Sequence, residues 1–349
     1  MSSVYTTDLN CPLPLLDHPR IRLAHGGGGR MMQRLIDEVF IAAFDNPLLR
    51  NGHDGAVLDL PHGRPVMTTD SYVVRPLFFP GGDIGSLAVH GTVNDLAMCG
   101  ARPRYLSASF ILEEGLAMET LWRVVQSMRA ATDAVGIEIV TGDTKVVERG
   151  HGDGIYINTT GVGLADHTLK IEPRSIRAGD ALLVSGDVGR HGMAVMGARQ
   201  ELAFATPIES DSTPLWNTVA ELLDAGIDIH CLRDVTRGGL NAVLNELAQA
   251  SRLQFDVVER DIPLTASVRG ACEVLGLDPL QVACEGRFVA VAPRECAQQA
   301  LQIMRAQNLS AALIGRVQLG EAGLVTMETS IGGRRIIDMP SGDLLPRIC

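Results

Sequence analysis

The sequence lacks an excess of positive charge and has no long apolar run. Its 349 residues carry a formal net charge of −11 at neutral pH, and its pI is about 5.3. Binding to nucleic acid needs a basic surface, so we expect no nucleic-acid partner. No stretch approaches the ~20 apolar residues that a membrane-spanning helix needs, and residues 1–10 lack the basic and apolar regions of a signal peptide. We therefore expect no membrane partner and a cytoplasmic location.

The sequence also has few lysines, and its cysteines do not follow a paired spacing. The seven cysteines contain no CxxC pair and are irregularly spaced, which argues against a disulfide framework or a four-cysteine zinc site. We interpret most of them as small buried residues. Lysine occurs only at positions 145 and 170, although Lys and Arg together number 30. Where arginine is used almost everywhere, a retained lysine can mark a site that needs a compact ammonium group, with chance retention as the alternative.

The length and the distribution of turn residues predict two domains, each large enough to bury a core. Residues 1–25 hold several prolines and no sustained periodicity, which predicts an irregular arm. Residues 26–170 are predicted to form an N-terminal α+β domain, and residues 171–340 a C-terminal α/β domain. Residues 341–349 have no periodicity and are predicted to form a flexible tail.

Local patterns predict individual elements within these domains. Apolar residues spaced three and four apart predict a helix at 116–135, and residues 83–99 are also predicted to be helical. A short apolar run before a turn predicts a strand at 56–60.

A run of four glycines precedes another predicted helix. It comprises Gly26, Gly27, Gly28 and Gly29. Consecutive glycines let backbone N–H groups turn toward one anion, and the N-terminus of a helix adds positive potential. The GxxxxGK[ST] pattern of a P-loop is absent. The run is a candidate phosphate-binding segment, and a flexible linker is the alternative.

Five aspartates occupy positions where a carboxylate is unfavourable unless it is paired or metal-bound. They lie at predicted strand ends, in loops and on an otherwise apolar helix, and comprise Asp54, Asp70, Asp95, Asp143 and Asp234. Mg²⁺ prefers oxygen ligands and nucleotide phosphates, so several converging carboxylates would suit a magnesium–triphosphate site. A turn or helix-cap role is the alternative for each aspartate taken singly.

Several of these residues belong to longer strings that together resemble one family. The strings are segments 77–82 (LFFPGG), 94–95 (ND), 110–115 (FILEEG), 142–147 (GDTKVV), 233–239 (RDVTRGG) and 346–349 (PRIC). In this order and combination, the chain from about residue 22 onward resembles the hydrogenase maturation factor HypE family. The Asn-Asp and Asp-x-Thr pieces alone would indicate only the wider superfamily of aminoimidazole-ribonucleotide (AIR) synthetase and selenophosphate synthetase.

The resemblance implies an α+β, two-domain PurM-like (AIR synthetase-like) fold and a homodimer formed through the N-terminal sheet. It also implies ATP and Mg²⁺, with the glycine run folded over the phosphates. Carried onto this chain, the implied metal ligands are Asp54, Asp70, Asp95 and Asp234. The implied nucleotide-binding group also includes Asn94, Asp143 and Thr144.

The resemblance further implies a reaction on the last residue, Cys349. In the family, a carbamoyltransferase partner, HypF, loads a carbamoyl group onto the terminal cysteine. ATP-dependent dehydration turns it into a thiocyanate, and a HypC–HypD complex accepts the cyanide that becomes an iron ligand in [NiFe] hydrogenase. Pro346 disfavours a helix and keeps the tail extended. We therefore expect Cys349 to act as a tethered substrate in the ATP-dependent step.

This chemistry sets requirements for two further residues. A thiocarboxamide loses water only if its oxygen becomes a leaving group, which phosphorylation supplies, and a base must take protons from its nitrogen. Glu285 is the candidate base, and a structural glutamate paired with Arg287 is the alternative. Lys145 is the candidate to contact the phosphate or orient the amide, and an ordinary ion pair is the alternative.

Other functions in the superfamily fit the sequence less well. Selenophosphate synthetases carry a reactive cysteine or selenocysteine followed by lysine, whereas here Pro12 follows Cys11. An AIR synthetase has no use for a terminal cysteine. A non-catalytic ATP-binding scaffold, whose tail only docks to partners, is the remaining alternative.

Overall fold

The computed structural model describes residues 18–51, 55–199, 207–340 and 348–349. Two separate sheets form the framework, one in each half of the chain. Within the described ranges, no helix combines the length and the apolarity needed to cross a membrane.

The N-terminal half contains six strands, and four of them form its main sheet. The strands are Arg64–Tyr72 (β1), Phe78–Phe79 (β2), Gly82–Asp83 (β3), Arg102–Glu113 (β4), Glu138–Val147 (β5) and Ile155–Ala165 (β6). The sheet has the order β1-β6-β4-β5, in which β6 is antiparallel to both neighbours and β4 is parallel to β5. Its edge strands, β1 and β5, are therefore three strand spacings or ~14 Å apart. Strands β2 and β3 form a separate two-stranded ribbon.

Helices cover one face of this sheet. They are Arg30–Leu35 (α1), Ala42–Phe44 (α2), Pro47–Arg50 (α3), Ile84–Met98 (α4) and Met118–Val135 (α5), with a π-helical segment at Ile36–Ile41. The apolar face of α5 buries Leu121, Val124 and Met128, and the helix ends at Gly136 with φ of +75°. Asp83 caps the N-terminus of α4, and its carboxylate accepts from the N–H groups of Gly85 and Ser86. Helix α4 is buried along most of its length because it lies between the two halves of the molecule.

The other face of the N-terminal sheet is open in a single chain. Side chains alternate across a strand, so Asp70 of β1 faces the helices while Met67 faces outward and is 73% exposed. Ile111 of β4 is exposed on the same open face. In β5 the alternation buries Thr144 and leaves Lys145 exposed.

The C-terminal half contains one mixed sheet of seven strands. They are Asp180–Val184 (β7), Cys231–Asp234 (β8), Gln254–Val258 (β9), Phe288–Pro293 (β10), Ala312–Gln318 (β11), Val325–Glu328 (β12) and Arg334–Ile336 (β13). The order is β13-β12-β9-β11-β7-β10-β8, and every pair is antiparallel except β9 with β12.

Helices pack on both faces of the C-terminal sheet, so β7 after Asp180 and most of β10 are buried apolar runs. The helices are Arg190–Arg199 (α6), Trp216–Asp224 (α7), Gly239–Ser251 (α8), Ala266–Leu275 (α9) and Arg294–Gln307 (α10). Helix α8 shares a core with one face, while α7 and α10 share a core with the other. Single 3₁₀ turns occupy Leu23–Gly26, Pro173–Ser175, Glu259–Asp261 and Pro279–Gln281.

The two halves meet along α4 and the segment before α7. Ala97 and Met98 of α4 belong to the same buried cluster as Leu215 and Val219. Nearby, the Ser210 N–H donates to the carbonyl of Pro80 at 2.8 Å. We call this region of contact between the two halves the seam. The domain limits predicted at residues 170 and 340 stay predictions.

The local predictions have different outcomes. The helices predicted at 83–99 and 116–135 are confirmed as α4 and α5. The strand predicted at 56–60 is wrong, because these residues have no partner strand and Val57 is 84% exposed. A short apolar run does not reveal whether a neighbouring strand exists to accept its hydrogen bonds.

Gly81 offers a test of the seam. Its φ is +84°, and an added Cβ would lie 2.7 Å from the backbone nitrogen of Ser210. Gly81→Ala should therefore lower the free energy of unfolding by the ~1–2 kcal/mol that a left-handed backbone costs a residue with a Cβ. The clash should lower it further. Gly136→Ala is the matched control, because its φ is +75° and its Cβ would meet open space. Thermal unfolding midpoints should fall more for Gly81→Ala, and equal falls would contradict the tight seam.

Candidate functional site

The last two residues lie in the cleft between the two halves. Ile348 is 4% exposed and packs in the N-terminal core cluster, which Val195 and Ala283 of the C-terminal half also join. Cys349 packs against the same cluster and is only partly exposed. The backbone carbonyl of Ile348 lies 2.9 Å from His191 Nε2. The terminal thiol is thus held inside the molecule.

Carboxyl groups from both halves interact electrostatically around this thiol. Asp70 comes from β1 and Asp95 from α4, whereas Asp234 ends β8 and Glu285 precedes β10. The Cys349 thiol lies beside Glu285, and burial followed by this carboxyl raises the pKa of the thiol. Three of the predicted site aspartates therefore converge with the predicted base and the predicted substrate residue.

These carboxyl groups are costly to ionise in this position. Burial, then the charges of Asp234 and Asp70, raises the pKa of Asp95 to about 7. Burial also raises the pKa of Asp234, and it raises the pKa of Glu285 well above its usual range. Such a site favours protons or a bound cation.

Few positive or donor groups offset this charge, and one of them is Arg237, whose charge acts on both Glu285 and the Cys349 thiol. Arg233 pairs with Asp234 and reaches toward Glu246. The Thr68 hydroxyl donates to Asp95 at 2.7 Å, and Tyr72 donates to Asp70 at 3.3 Å. When its carboxyl groups are ionised, the cluster therefore carries a net negative charge.

The carboxylates of this cluster are potential ligands for a metal ion. In the described part of the chain, no three His, Cys, Asp or Glu side chains are already arranged to enclose a metal ion. Mg²⁺ commonly uses only one or two carboxylates and completes its shell with water and substrate phosphates. The donor set of Asp70, Asp95 and Asp234 fits that mode of binding. Asp54, the fourth predicted ligand, lies outside the described residues.

Glu285 is not paired with Arg287, so that alternative is wrong. Arg287 instead donates to Asp187 Oδ1 at 3.0 Å, and its Nε lies 3.8 Å from Asp211. Glu285 Oε1 is buried and has no hydrogen-bond partner within the described ranges. Its carboxyl group remains available for chemistry in the cleft.

Asn94 connects the two halves with its side chain. Its amide nitrogen donates to the carbonyls of Thr213 at 3.0 Å and Glu285 at 3.2 Å. Its amide oxygen accepts from the N–H of Leu215 at 2.8 Å. The contacts of this side chain are therefore with the protein, and they fix the backbone of Glu285.

The remaining predicted nucleotide-binding residues lie elsewhere in a single chain. Asp143 and Lys145 project from the open face of β5 and form an ion pair of 2.8 Å, whereas Thr144 is buried on the covered face. The glycine run adjoins this strand, since an added Cβ on Gly26 would lie 2.6 Å from Val146 N. Asp143 and Lys145 are separated from Asp70 by the width and the thickness of the sheet, whereas Thr144 is separated from it by the width alone.

Sequence reasoning missed residues that organise the cleft. Asp211 Oδ1 accepts from the N–H groups of His191 at 3.0 Å and Glu285 at 3.4 Å. Ser210 bonds the ring of His191. These serine and aspartate residues occur in a short polar run, which has the composition of a surface loop, so the sequence carried no signal of their burial.

Comparisons with known proteins decide the family. Residues 52–165 match the family described as AIR synthase related protein, N-terminal domain, and residues 177–327 match its C-terminal domain. The carbamoyl dehydratase HypE of Azotobacter vinelandii is 53% identical over 331 residues, which cover 94% of this chain and 97% of that protein. This chain belongs to the HypE family.

Solved HypE structures share this fold closely. A hydrogenase maturation protein HypE in complex with ATP has a TM-score of 0.91 and 50% identity, covering 94% of this chain and 99% of that one. A chain of a HypE–HypF complex has a TM-score of 0.77 and 47% identity, covering 88% of this chain and 99% of that one. The predicted two-domain, AIR synthetase-like fold is thereby confirmed.

The raised pKa of Asp95 predicts an unusual dependence of stability on pH. An unfolded aspartate ionises near pH ~3.9, but folded Asp95 resists ionisation until about pH 7. The residue therefore reduces stability progressively as the pH rises between these values. Without divalent cations, Asp95→Asn should unfold at a higher temperature than the parent at about pH 8, with a smaller gap toward pH ~4.

Asp143→Asn is the matched control of opposite sign, because Lys145 lowers the pKa of Asp143. It should leave stability unchanged or slightly lower at the higher pH, since this pair is largely exposed. A parent that is more stable than Asp95→Asn at about pH 8 would contradict the electrostatic account of the cluster.

Proposed function

We propose that this chain dehydrates a carbamoyl group carried on Cys349 to a thiocyanate, using ATP, and so provides the cyanide ligand for the iron of [NiFe] hydrogenase. The observation that carries the proposal is the position of Cys349 beside Glu285, among carboxylates from both halves of a HypE-family chain. The place of the last residue inside the cleft supports its role as a substrate of the same molecule.

The proposed reaction has two bond-breaking stages. The thiocarboxamide oxygen attacks the γ-phosphorus of ATP, which releases ADP. Loss of the nitrogen protons then forms the C≡N bond and expels the phosphorylated oxygen as inorganic phosphate. The S–C bond to Cys349 stays intact, so the product remains tethered.

Glu285 is the proposed base. Its buried carboxyl has a free oxygen beside the thiol. Burial raises the pKa of Glu285, which makes its carboxylate a stronger proton acceptor once it is ionised. Asn94 supports this role by holding the Glu285 backbone.

Asp70, Asp95 and Asp234 are the proposed holders of Mg²⁺, together with Asp54. The bound ion would offset negative charge on the transferred phosphoryl group. The mutual electrostatic strain of these carboxylates supports the assignment, because a cation relieves it. The solved HypE relative that carries ATP supports ATP as the phosphoryl donor.

We propose that the glycine run, Asp143, Thr144 and Lys145 serve the nucleotide in a homodimer. In one chain, Lys145 is on the open sheet face, on the far edge strand from Asp70. Met67 and Ile111 leave apolar surface on the same face, which favours a second copy as its cover. Residues of β5 in one copy would then complete a site with the other.

The loading step requires the tail to leave the cleft. Burial raises the pKa of the Cys349 thiol, so very little thiolate exists in the docked position. HypF is the proposed carbamoyl donor, supported by the HypE–HypF complex of a relative. A HypC–HypD complex is the proposed cyanide acceptor after dehydration.

Mass spectrometry of the C-terminal peptide tests the proposal. With HypF, carbamoyl phosphate and Mg-ATP, Cys349 should first gain one carbamoyl group and then lose one water. Cys349→Ser should show neither change, while Cys296→Ser, a partly buried cysteine far along the chain, should show both. If the tail stays unmodified while HypF is active, the proposed enzymatic function is contradicted. If the tail is carbamoylated but never loses water, the protein is only a carrier of the carbamoyl group.

Glu285→Gln tests the proposed base separately. The amide keeps the size of the side chain but cannot accept the proton, so dehydration should slow about 10²–10⁴-fold. Loading of Cys349 and binding of ATP should persist, and carbamoylated protein should accumulate. Dehydration at the parent rate would exclude Glu285 as the base.

A further inference from the structure

His191 makes a contact with the tail that the proposed chemistry does not use. Its ring is fully buried, and Nε2 lies 2.9 Å from the backbone carbonyl oxygen of Ile348. The ring packs edge-on against Phe79 of the N-terminal half, with centroids 5.4 Å apart. The histidine thus reaches the chain one residue before the reactive thiol.

The neighbours of the ring fix which nitrogen carries its proton. A carbonyl oxygen can only accept, so Nε2 must donate to Ile348. Nδ1 then accepts from the Ser210 hydroxyl, which lies 2.8 Å away. The Ser212 N–H donates to the same hydroxyl oxygen at 3.1 Å, which leaves the Ser210 proton directed at the ring. Burial lowers the pKa of His191 and so favours the neutral ring.

One carboxylate joins this contact to the proposed base. Asp211 Oδ1 accepts from the backbone N–H of His191 at 3.0 Å and of Glu285 at 3.4 Å. The Asp211 side chain is completely buried. Both hydrogen bonds therefore lie in a medium of low dielectric constant, where they are stronger than in water. The tail contact and Glu285 therefore belong to one hydrogen-bonded unit.

We propose that His191 is a positioning residue, which, with Ser210 and Asp211, forms a tail clamp. The clamp grips the Ile348 carbonyl, places the Cys349 sulfur beside Glu285 and shields the thiol from reagents while the tail is docked. This proposal rests on the proposed function only for its catalytic consequence. The docking itself can be tested without ATP or a partner.

Alkylation of Cys349 measures docking directly. A thiol-specific reagent such as iodoacetamide reacts with the tail when it is released, so the rate follows the open population if opening is fast. His191→Phe keeps an aromatic ring against Phe79 but cannot donate. Loss of one such hydrogen bond should raise the alkylation rate of Cys349 about three- to tenfold. His191→Gln, which can place an N–H near Nε2, should recover much of the protection.

A second buried histidine provides the matched control. His90 is hydrogen-bonded to Ser212 at 3.0 Å in the same seam, and within the described ranges it makes no hydrogen bond to Ile348 or Cys349. His90→Phe should leave the alkylation rate of Cys349 within about twofold of the parent. Exposed Cys99 should react equally in every variant, and buried Cys284 should stay unreactive in folded protein.

Each outcome bears on the clamp. Parent-like protection of Cys349 in His191→Phe would overturn it, as would equal loss in His90→Phe. If Cys284 also reacts in His191→Phe, the variant has unfolded, and Ser210→Ala becomes the deciding variant. It removes the ring's Nδ1 partner and should expose Cys349 about two- to fivefold; no exposure there would overturn the clamp.

The catalytic consequence is measured on protein already carbamoylated at Cys349. On adding Mg-ATP, His191→Phe should dehydrate about three- to tenfold more slowly than the parent, with unchanged ATP affinity, and His191→Gln should regain rate. A parent that never dehydrates would refute the proposed function but leave the alkylation results to judge the clamp. Equal dehydration rates, with increased alkylation, would overturn the positioning role.

Discussion

The rest of the site depends on one constraint, which is that several acidic side chains are buried at the seam with too little positive charge to offset them. Asp95, Asp234 and Glu285 each have a pKa raised by burial, and the charge of Asp234 further raises the pKa of the other two. Such an arrangement costs stability in the free protein. Under the proposed function, a bound cation or a proton held between these groups would relieve the repulsion among their carboxylates.

A few side chains that bridge the two halves fix the positions of these buried carboxyl groups. Asn94 joins the N-terminal half to the Glu285 loop, and Asp211 joins that same loop to α6. Because both side chains are buried and hydrogen-bonded at each end, movement of one sheet against the other would disturb Glu285, the proposed base, and the tail together. The site is a property of the interface between the sheets, which explains why neither half alone contains it.

The sequence revealed the parts of this arrangement that local patterns encode. Helix α5 followed from its apolar period, and Asp95 was conspicuous as an acid on an apolar helix. The sequence could not reveal that Lys145 faces away from Asp70, since this depends on strand order and on which sheet face is covered. Nor could it distinguish Asp211 from a solvated loop residue, because its burial arises only where the two halves meet.

The fate of one oxygen atom tests the account most directly. Cys349 would be loaded by HypF from carbamoyl phosphate labelled with oxygen-18 in its carbonyl, and the label in the loaded tail measured first. If ATP phosphorylates the thiocarboxamide oxygen in this cleft, dehydration should carry that label into inorganic phosphate in equal amount. Unlabelled phosphate, with the label released into water, would contradict the account.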